Sequence, residues 1–125
     1  MKQSISGLGT DIIEIERIAA AYKKFGRAFL QRFLCEEEIA YCLRHKRATH
    51  HLAARWAAKE AVAKALGTGL GKSLGWHDMV IGCDPLGKPT VTLCGEPGRR
   101  FVGTTILLSM SHCELYATAI AVVQK

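Results

Sequence analysis

The sequence predicts an α+β fold built on an antiparallel sheet. Helical periodicity dominates the first half and is strongest from Thr49 to Leu66, where alanines 54, 57, 58, 61 and 65 repeat at i, i+3, i+4, i+7 and i+11. After Gly67 and Gly69 the pattern changes to short β-branched runs separated by turn residues. Helices therefore lead and strands follow, the ordering of an α+β chain rather than of repeated βαβ units. No linker, repeat or low-complexity segment interrupts the 125 residues, so positions 1–125 are expected to form one domain with enough chain to bury a core.

The elements follow in order. Ile5 to Ile15 should open as a short strand and turn helical after Asp11, because Ile12, Ile15, Ile18 and Ala19 share a helical face. Lys23, Lys24 and Arg27 put positive charge around the end of that helix, and Gly26 is a plausible stop. Phe29 to Leu34 suits another turn or two. Glu36 to His45 has three acids in its first turn and Arg44, His45 and Lys46 near its end, matching the helix dipole.

The Thr49–Leu66 helix has an alanine face that lets another element approach closely. Arg55, Trp56, Lys59, Glu60 and Lys64 are expected on the opposite half, where three cations outnumber one acid and could hold a multiply charged anion. Met79–Cys83 and Thr90–Cys94 read as strands joined through the turn-rich Asp84–Pro89. Glu96 to Val102 suits a short helix limited by Pro97 and Gly98. Thr104–Met110 and Leu115–Val123 read as strands around Ser111–Glu114.

Lys and Arg number 17 against 11 acids, a net charge of +6 that favours an anionic partner. Nucleic acid is disfavoured: no helix-turn-helix, zinc finger or ribonucleoprotein pattern is present, and aromatics are only 7%. No apolar run approaches the ~20 residues of a membrane span, so no membrane partner is expected. The five cysteines have no C-x-x-C spacing, and Met1 to Gly9 has no apolar h-region. The expectation is a cytoplasmic protein with reduced, mostly buried thiols.

Two short stretches can carry chemistry. Gly9-Thr10-Asp11 places a carboxylate after an apolar run, and Lys59-Glu60 followed by Lys64 places another among fixed positive charges. Each alone has a bland reading, as a helix N-cap and as an exposed i, i+4 ion pair. If folding brings Asp11 and Glu60 together, they repel unless a cation lies between them, and a divalent metal holding a polyphosphate is the economical reason for such a pair. Gly67–Ser73 fails as a P-loop: Leu66 stands where a glycine is required, and the stretch follows a helix. His45, His50 and His51 lack metal-ligand spacing, and the last two should flank the start of the long helix. Ser111, His112 and Cys113 cannot form a triad, since neighbours on a strand face opposite ways; His112 fits a ligand-binding role better.

At these residues the chain resembles a known family. Gly7 to Ile12 together with Arg55-Trp-Ala-Ala-Lys59-Glu60-Ala-Val-Ala-Lys64 and Gly67-Thr-Gly69 looks like the holo-[acyl-carrier-protein] synthases, the short branch of the 4′-phosphopantetheinyl transferases. Gly87-Lys88-Pro89 and Ser109-Met-Ser-His112 followed by Tyr116-Ala117 extend the match almost end to end. The segment Gly95 to Gly103 departs from it, being shorter than the family's usual helix there.

The resemblance implies the 4′-phosphopantetheinyl transferase fold and transfer of 4′-phosphopantetheine from coenzyme A to a serine of apo-acyl carrier protein, releasing adenosine 3′,5′-bisphosphate. It implies Mg²⁺ held by Asp11 and Glu60, and Lys64 on the departing bisphosphate. It also implies contacts to the nucleotide end from Arg55, Gly67, Gly87, Lys88, Pro89 and His112. The acceptor of the serine proton is left between Glu60, Asp11 through a water, and solvent. Acidic acyl carrier protein would dock on Arg17, Lys23, Lys24 and Arg27, and a homotrimer with sites between subunits is the family's usual assembly. The competing class is a non-catalytic basic module that binds nucleic acid or an acidic protein.

Overall fold

The computed structural model describes residues 3–125. Strand β1 (Ile5–Glu14) leads into helices α1 (Ile15–Phe25), α2 (Arg27–Phe33), α3 (Glu36–Leu43) and α4 (Ala48–Ala65). A 3₁₀ turn (Trp76–Asp78) precedes β2 (Met79–Cys83) and β3 (Pro89–Leu93). Then come α5 (Gly95–Arg100), β4 (Thr105–His112) and β5 (Tyr116–Gln124). The α+β class holds.

The strands divide into two antiparallel sheets: a three-stranded one in the order β1-β5-β4, and the hairpin β2-β3. The N-terminal strand thus pairs with the C-terminal one, with Gly9 opposite Ala121 and Asp11 opposite Ala119. Helix α4 covers the inner face of the larger sheet. Its alanines 57, 58 and 61 and Val62 pack in one core with Ala117, Ala119, Ala121 and Val123 of β5. Small residues on both surfaces bring helix and sheet close together.

Three expectations change. The first helix does not begin after Asp11: strand β1 runs through Asp11 to Glu14, because backbone pairing with Thr118, Ala117 and Tyr116 continues that far. Strand β4 does not end at Met110 but runs through His112, because pairing with Thr118 and Ala117 of β5 continues that far. The cysteines are free but not mostly buried: Cys42 alone is buried, while Cys83 and Cys113 are exposed beside turns.

Candidate functional site

Two glycines bring the acids together. On β1, Gly7, Gly9, Asp11 and Ile13 alternate onto the face that meets α4. A Cβ on Gly7 would lie 1.8 Å from the Ala65 carbonyl oxygen, and one on Gly9 2.0 Å from that of Ala61. Only glycine allows this approach of strand to helix. Asp11 comes next on the same strand face, and Glu60 directly precedes Ala61. The G-x-D pattern is therefore a spacing device as well as a source of carboxylate.

The consequence is electrostatic. Burial raises the Glu60 pKa above the ordinary carboxylate value, the Asp11 charge raises it further, and Lys64 pulls the other way. Lys64 Nζ donates to the Thr10 carbonyl at 3.0 Å and lies 3.4 Å from Asp11 Oδ1. Among the described residues nothing pairs with the Glu60 carboxylate. A half-buried acid without a partner, repelled by a second acid, fits a cation between the two.

Among the described residues no group of three or more His, Cys, Asp or Glu side chains is arranged to hold a metal. Two carboxylates suffice for Mg²⁺, which usually keeps waters and takes phosphate oxygens for its remaining positions.

The cationic face expected on α4 is not formed. Lys59 is fully buried and donates to Phe33 O at 2.7 Å, Glu38 Oε1 at 2.9 Å and Trp76 O at 3.1 Å, satisfying all three ammonium protons. Glu38 also accepts from the backbone N–H groups of Cys35 and Ile81, each at 2.8 Å. This buried pair ties α2, α3, α4 and β2 together, so Lys59 is structural and cannot grip an exposed anion. An i to i+4 reading of α4 misses it because Glu38 lies 21 residues away.

Arg55 is also buried, at 3% exposure, with its guanidinium 4.3 Å from the centre of the Tyr41 ring. Both line a cavity of about 480 Å³ with Arg44, Ile81 and Cys83. That volume lies within the usual range for a small-ligand pocket. Tyr41 and Arg44 were not singled out in the sequence as site residues, and their i, i+3 spacing at the C-terminal end of α3 was the available signal.

His50 and His51 lie in the first turns of α4, as expected, and His112 ends β4 rather than standing between the strands. Folding gathers them with His45: the His45 and His51 rings stack with centroids 3.9 Å apart, and His50 and His112 meet edge to face at 5.3 Å.

Gly67 closes α4 with φ 81°, where an L side chain would be strained, and its N–H donates to Lys64 O. Gly87, at φ 86°, turns the β2-β3 hairpin, whose Asp84 carboxylate accepts from the N–H groups of Leu86 and Lys88. Lys88 borders a groove with Leu107, Ser109, Ile120 and Val122 on the outer face of the large sheet. Asp11 and Glu60 lie on its inner side, so a single chain does not bring Lys88 to the acid pair. Arg17, Lys23 and Lys24 are exposed on α1. Arg27 is exposed and paired with Glu36.

The chain is similar to known proteins over nearly its whole length. The profile of the 4′-phosphopantetheinyl transferase superfamily matches residues 7–121. The holo-[acyl-carrier-protein] synthase of Protochlamydia amoebophila is 50% identical over 116 residues, 93% of this chain and 95% of that one. That of Chloroherpeton thalassium is 43% identical over 117 residues, 94% and 96% of the two chains. The crystal structure of the Neisseria meningitidis enzyme superposes with a TM-score of 0.89 at 38% identity, covering 98% of this chain and 100% of that one. The Helicobacter pylori enzyme in complex with coenzyme A gives 0.83 at 36%, covering 93% and 98%. Family profile, fold and relatives agree: the chain belongs to the holo-[acyl-carrier-protein] synthase family of the 4′-phosphopantetheinyl transferase superfamily.

Proposed function

We propose that this chain is a single-domain, Mg²⁺-dependent enzyme that transfers 4′-phosphopantetheine from coenzyme A to a serine of apo-acyl carrier protein. In the reaction the serine oxygen bonds to the β-phosphorus of the donor. The bond from that phosphorus to the bridging oxygen breaks, and adenosine 3′,5′-bisphosphate leaves with the bond's electron pair. The single observation that carries the reading is the partnerless, half-buried Glu60 carboxylate held against Asp11 by a glycine-spaced strand–helix contact.

Asp11 and Glu60 would hold Mg²⁺, which when bound neutralises charge on the donor's diphosphate. Lys64, about half exposed and only loosely held by Asp11, is free to swing to the departing bisphosphate. The serine proton would pass to Glu60, to Asp11 through a water, or to solvent. The Arg55 cavity, with His112 at the end of β4, suits the nucleotide end, whereas Gly67 stands beyond the opposite end of α4, about 18 Å along the helix axis. Lys88, Gly87 and Pro89 would reach that end from a neighbouring copy.

The outer face of the large sheet supports such a neighbour. Leu8, Ile12 and Ile120 are 63%, 66% and 45% exposed there, more apolar surface than a lone sheet face usually offers to water. We take this face to be buried in a homotrimer. Acidic carrier protein would approach α1, where Arg17, Lys23 and Lys24 flank the exposed ring of Phe25, with Arg27 at the start of α2. No helix is long and apolar enough to cross a membrane among the described residues, which is consistent with a cytoplasmic place.

The test is mass spectrometry of apo-acyl carrier protein incubated with coenzyme A, with and without Mg²⁺. A carrier mass increase that needs both enzyme and metal supports the proposal. No increase, combined with salt-sensitive retention of DNA or RNA, would favour the basic-module reading instead.

A further inference from the structure

Strand β2 carries a thiol out of the core. Met79, Ile81 and Cys83 share one face of the strand; the first two are buried, and Cys83, at its end, is exposed. Its Sγ lies 3.9 Å from the Tyr41 hydroxyl, across the groove between β2 and α3. Arg55 and Arg44 stand over the ring of the same tyrosine, 4.3 and 5.2 Å from its centre. One phenol therefore links the thiol to two guanidinium groups, and all four side chains line the cavity of about 480 Å³.

Arg55 is 3% exposed, and its Nε is buried without a hydrogen-bond partner among the described residues. A buried, unpartnered cation in a cavity wall calls for a ligand that brings acceptors.

The acids nearby are fewer in effect than in number. Glu38 lines the same cavity but is committed to Lys59. Asp84, next to Cys83, accepts from the N–H groups of Leu86 and Lys88. Glu37 is exposed at the rim and has no ion pair among the described residues. The free charges around the thiol are thus two cations and one carboxylate.

The other cysteines lack these surroundings. Cys42 is buried, and Cys35 and Cys94 are half-buried. Cys113 is exposed, but it lies beside Glu114, which is already paired with Arg47.

We propose that Cys83 is a site of reversible modification by an acidic low-molecular-weight disulfide of the glutathione class, steered there by Arg44 and Arg55. Joined through its sulfur, glutathione presents two carboxylates and one ammonium group, the counterpart of two arginines and Glu37. Guanidinium groups take carboxylates through paired, charge-assisted hydrogen bonds.

In the reaction the Cys83 thiolate attacks one sulfur of glutathione disulfide. A new bond joins Cys83 to one glutathione and the old sulfur–sulfur bond breaks. The second glutathione leaves as a thiolate with the electron pair and takes up the proton that Cys83 released. Cys83 is oxidised, the departing glutathione is reduced, and excess thiol reverses the step. The nucleotide end of coenzyme A is proposed to occupy the same space, so the adduct would stop transfer until it is reduced. That consequence rests on the proposed reading of the cavity; the modification does not.

Peptide mass mapping of the full chain, after brief treatment with a disulfide, gives the rate at Cys83 relative to Cys113. The ratio cancels the intrinsic reactivity of each reagent. It should be highest with glutathione disulfide, lower with uncharged hydroxyethyl disulfide and lowest with cationic cystamine, with at least about fivefold between the extremes. Arg44→Gln, an exposed substitution, should narrow that spread. Equal ratios for the three reagents, or a spread unchanged in Arg44→Gln, would overturn the proposal.

Transfer to carrier protein is then measured before and after glutathione treatment. The native chain should lose activity and regain it with dithiothreitol, whereas treated Cys83→Ser should keep its own untreated rate. Equal losses in the native chain and Cys83→Ser would overturn control through Cys83. Full activity in a chain carrying the adduct on Cys83 would overturn the cavity's reading as the nucleotide pocket while supporting the modification site.

Discussion

Replacing Gly9 with alanine tests the strand–helix contact that assembles the site. The new Cβ would stand 2.0 Å from Ala61 O and 2.7 Å from Ala65 N, backbone atoms that no side-chain rotation can clear. Relief to the 3.0 Å below which Cβ atoms essentially never approach requires β1 and α4 to part by about 1 Å. Overpacking typically costs about 1–3 kcal/mol, and with two backbone atoms in the way the upper end is expected.

The displacement falls directly on Asp11 and Glu60, and a misplacement of about 1 Å is enough to slow turnover roughly 100-fold. Urea titration measures the first effect; the rate of carrier modification at saturating substrates measures the second. Gly7→Ala meets Ala65 O at 1.8 Å but lies farther from Asp11, so it should lose comparable stability and less activity. Gly71→Ala, with nothing within 4 Å of its added Cβ, should change stability by no more than about 0.5 kcal/mol. Native stability and turnover in Gly9→Ala would refute the reasoning.

Other outcomes follow from the same geometry. Asp11→Asn and Glu60→Gln should each lose most transfer activity while keeping native circular dichroism. A raised folded-state pKa means that Glu60 contributes most to stability when protonated, and that this contribution is lost as pH rises through that pKa. Glu60→Gln should therefore melt higher than the native chain at neutral pH with chelator present, and Mg²⁺ with coenzyme A should narrow the gap. Lys59→Met strands the Glu38 carboxylate in the core and should cost about 3–5 kcal/mol, whereas Lys59→Met combined with Glu38→Leu should recover part of that loss in urea titrations. Arg17→Glu with Lys24→Glu should raise KM for carrier protein more than for coenzyme A, and added salt should shrink the difference.

What could be read in the sequence depended on the range of the interaction. The long α4 and the β-branched strands carry their periodicity locally, so their existence was legible to within a residue or two. The alanine face of α4 foretold a close neighbour, although only the fold identifies Gly7 and Gly9 as the residues that meet it.

Local pattern misled where a distant partner decided. The Ile12, Ile15 and Ile18 spacing suits a helix, yet β5, more than 100 residues away, holds β1 extended through Glu14. Lys59 has the spacing of a surface cation, and a carboxylate from α3 draws it into the core. The histidine cluster was invisible for the same reason: its members come from the segment after α3, from α4 and from β4, and no ligand spacing links them.

The central claim is that Asp11 and Glu60 together hold a divalent ion on the donor's diphosphate. Electron paramagnetic resonance of Mn²⁺, used in place of Mg²⁺, reports it directly, because the sharp signal of free Mn²⁺ disappears on binding. Adding coenzyme A to the native chain should remove that signal well beyond the loss caused by coenzyme A alone. Asp11→Asn and Glu60→Gln should each leave most of it free. Equal Mn²⁺ uptake by the native chain and both variants would contradict the account.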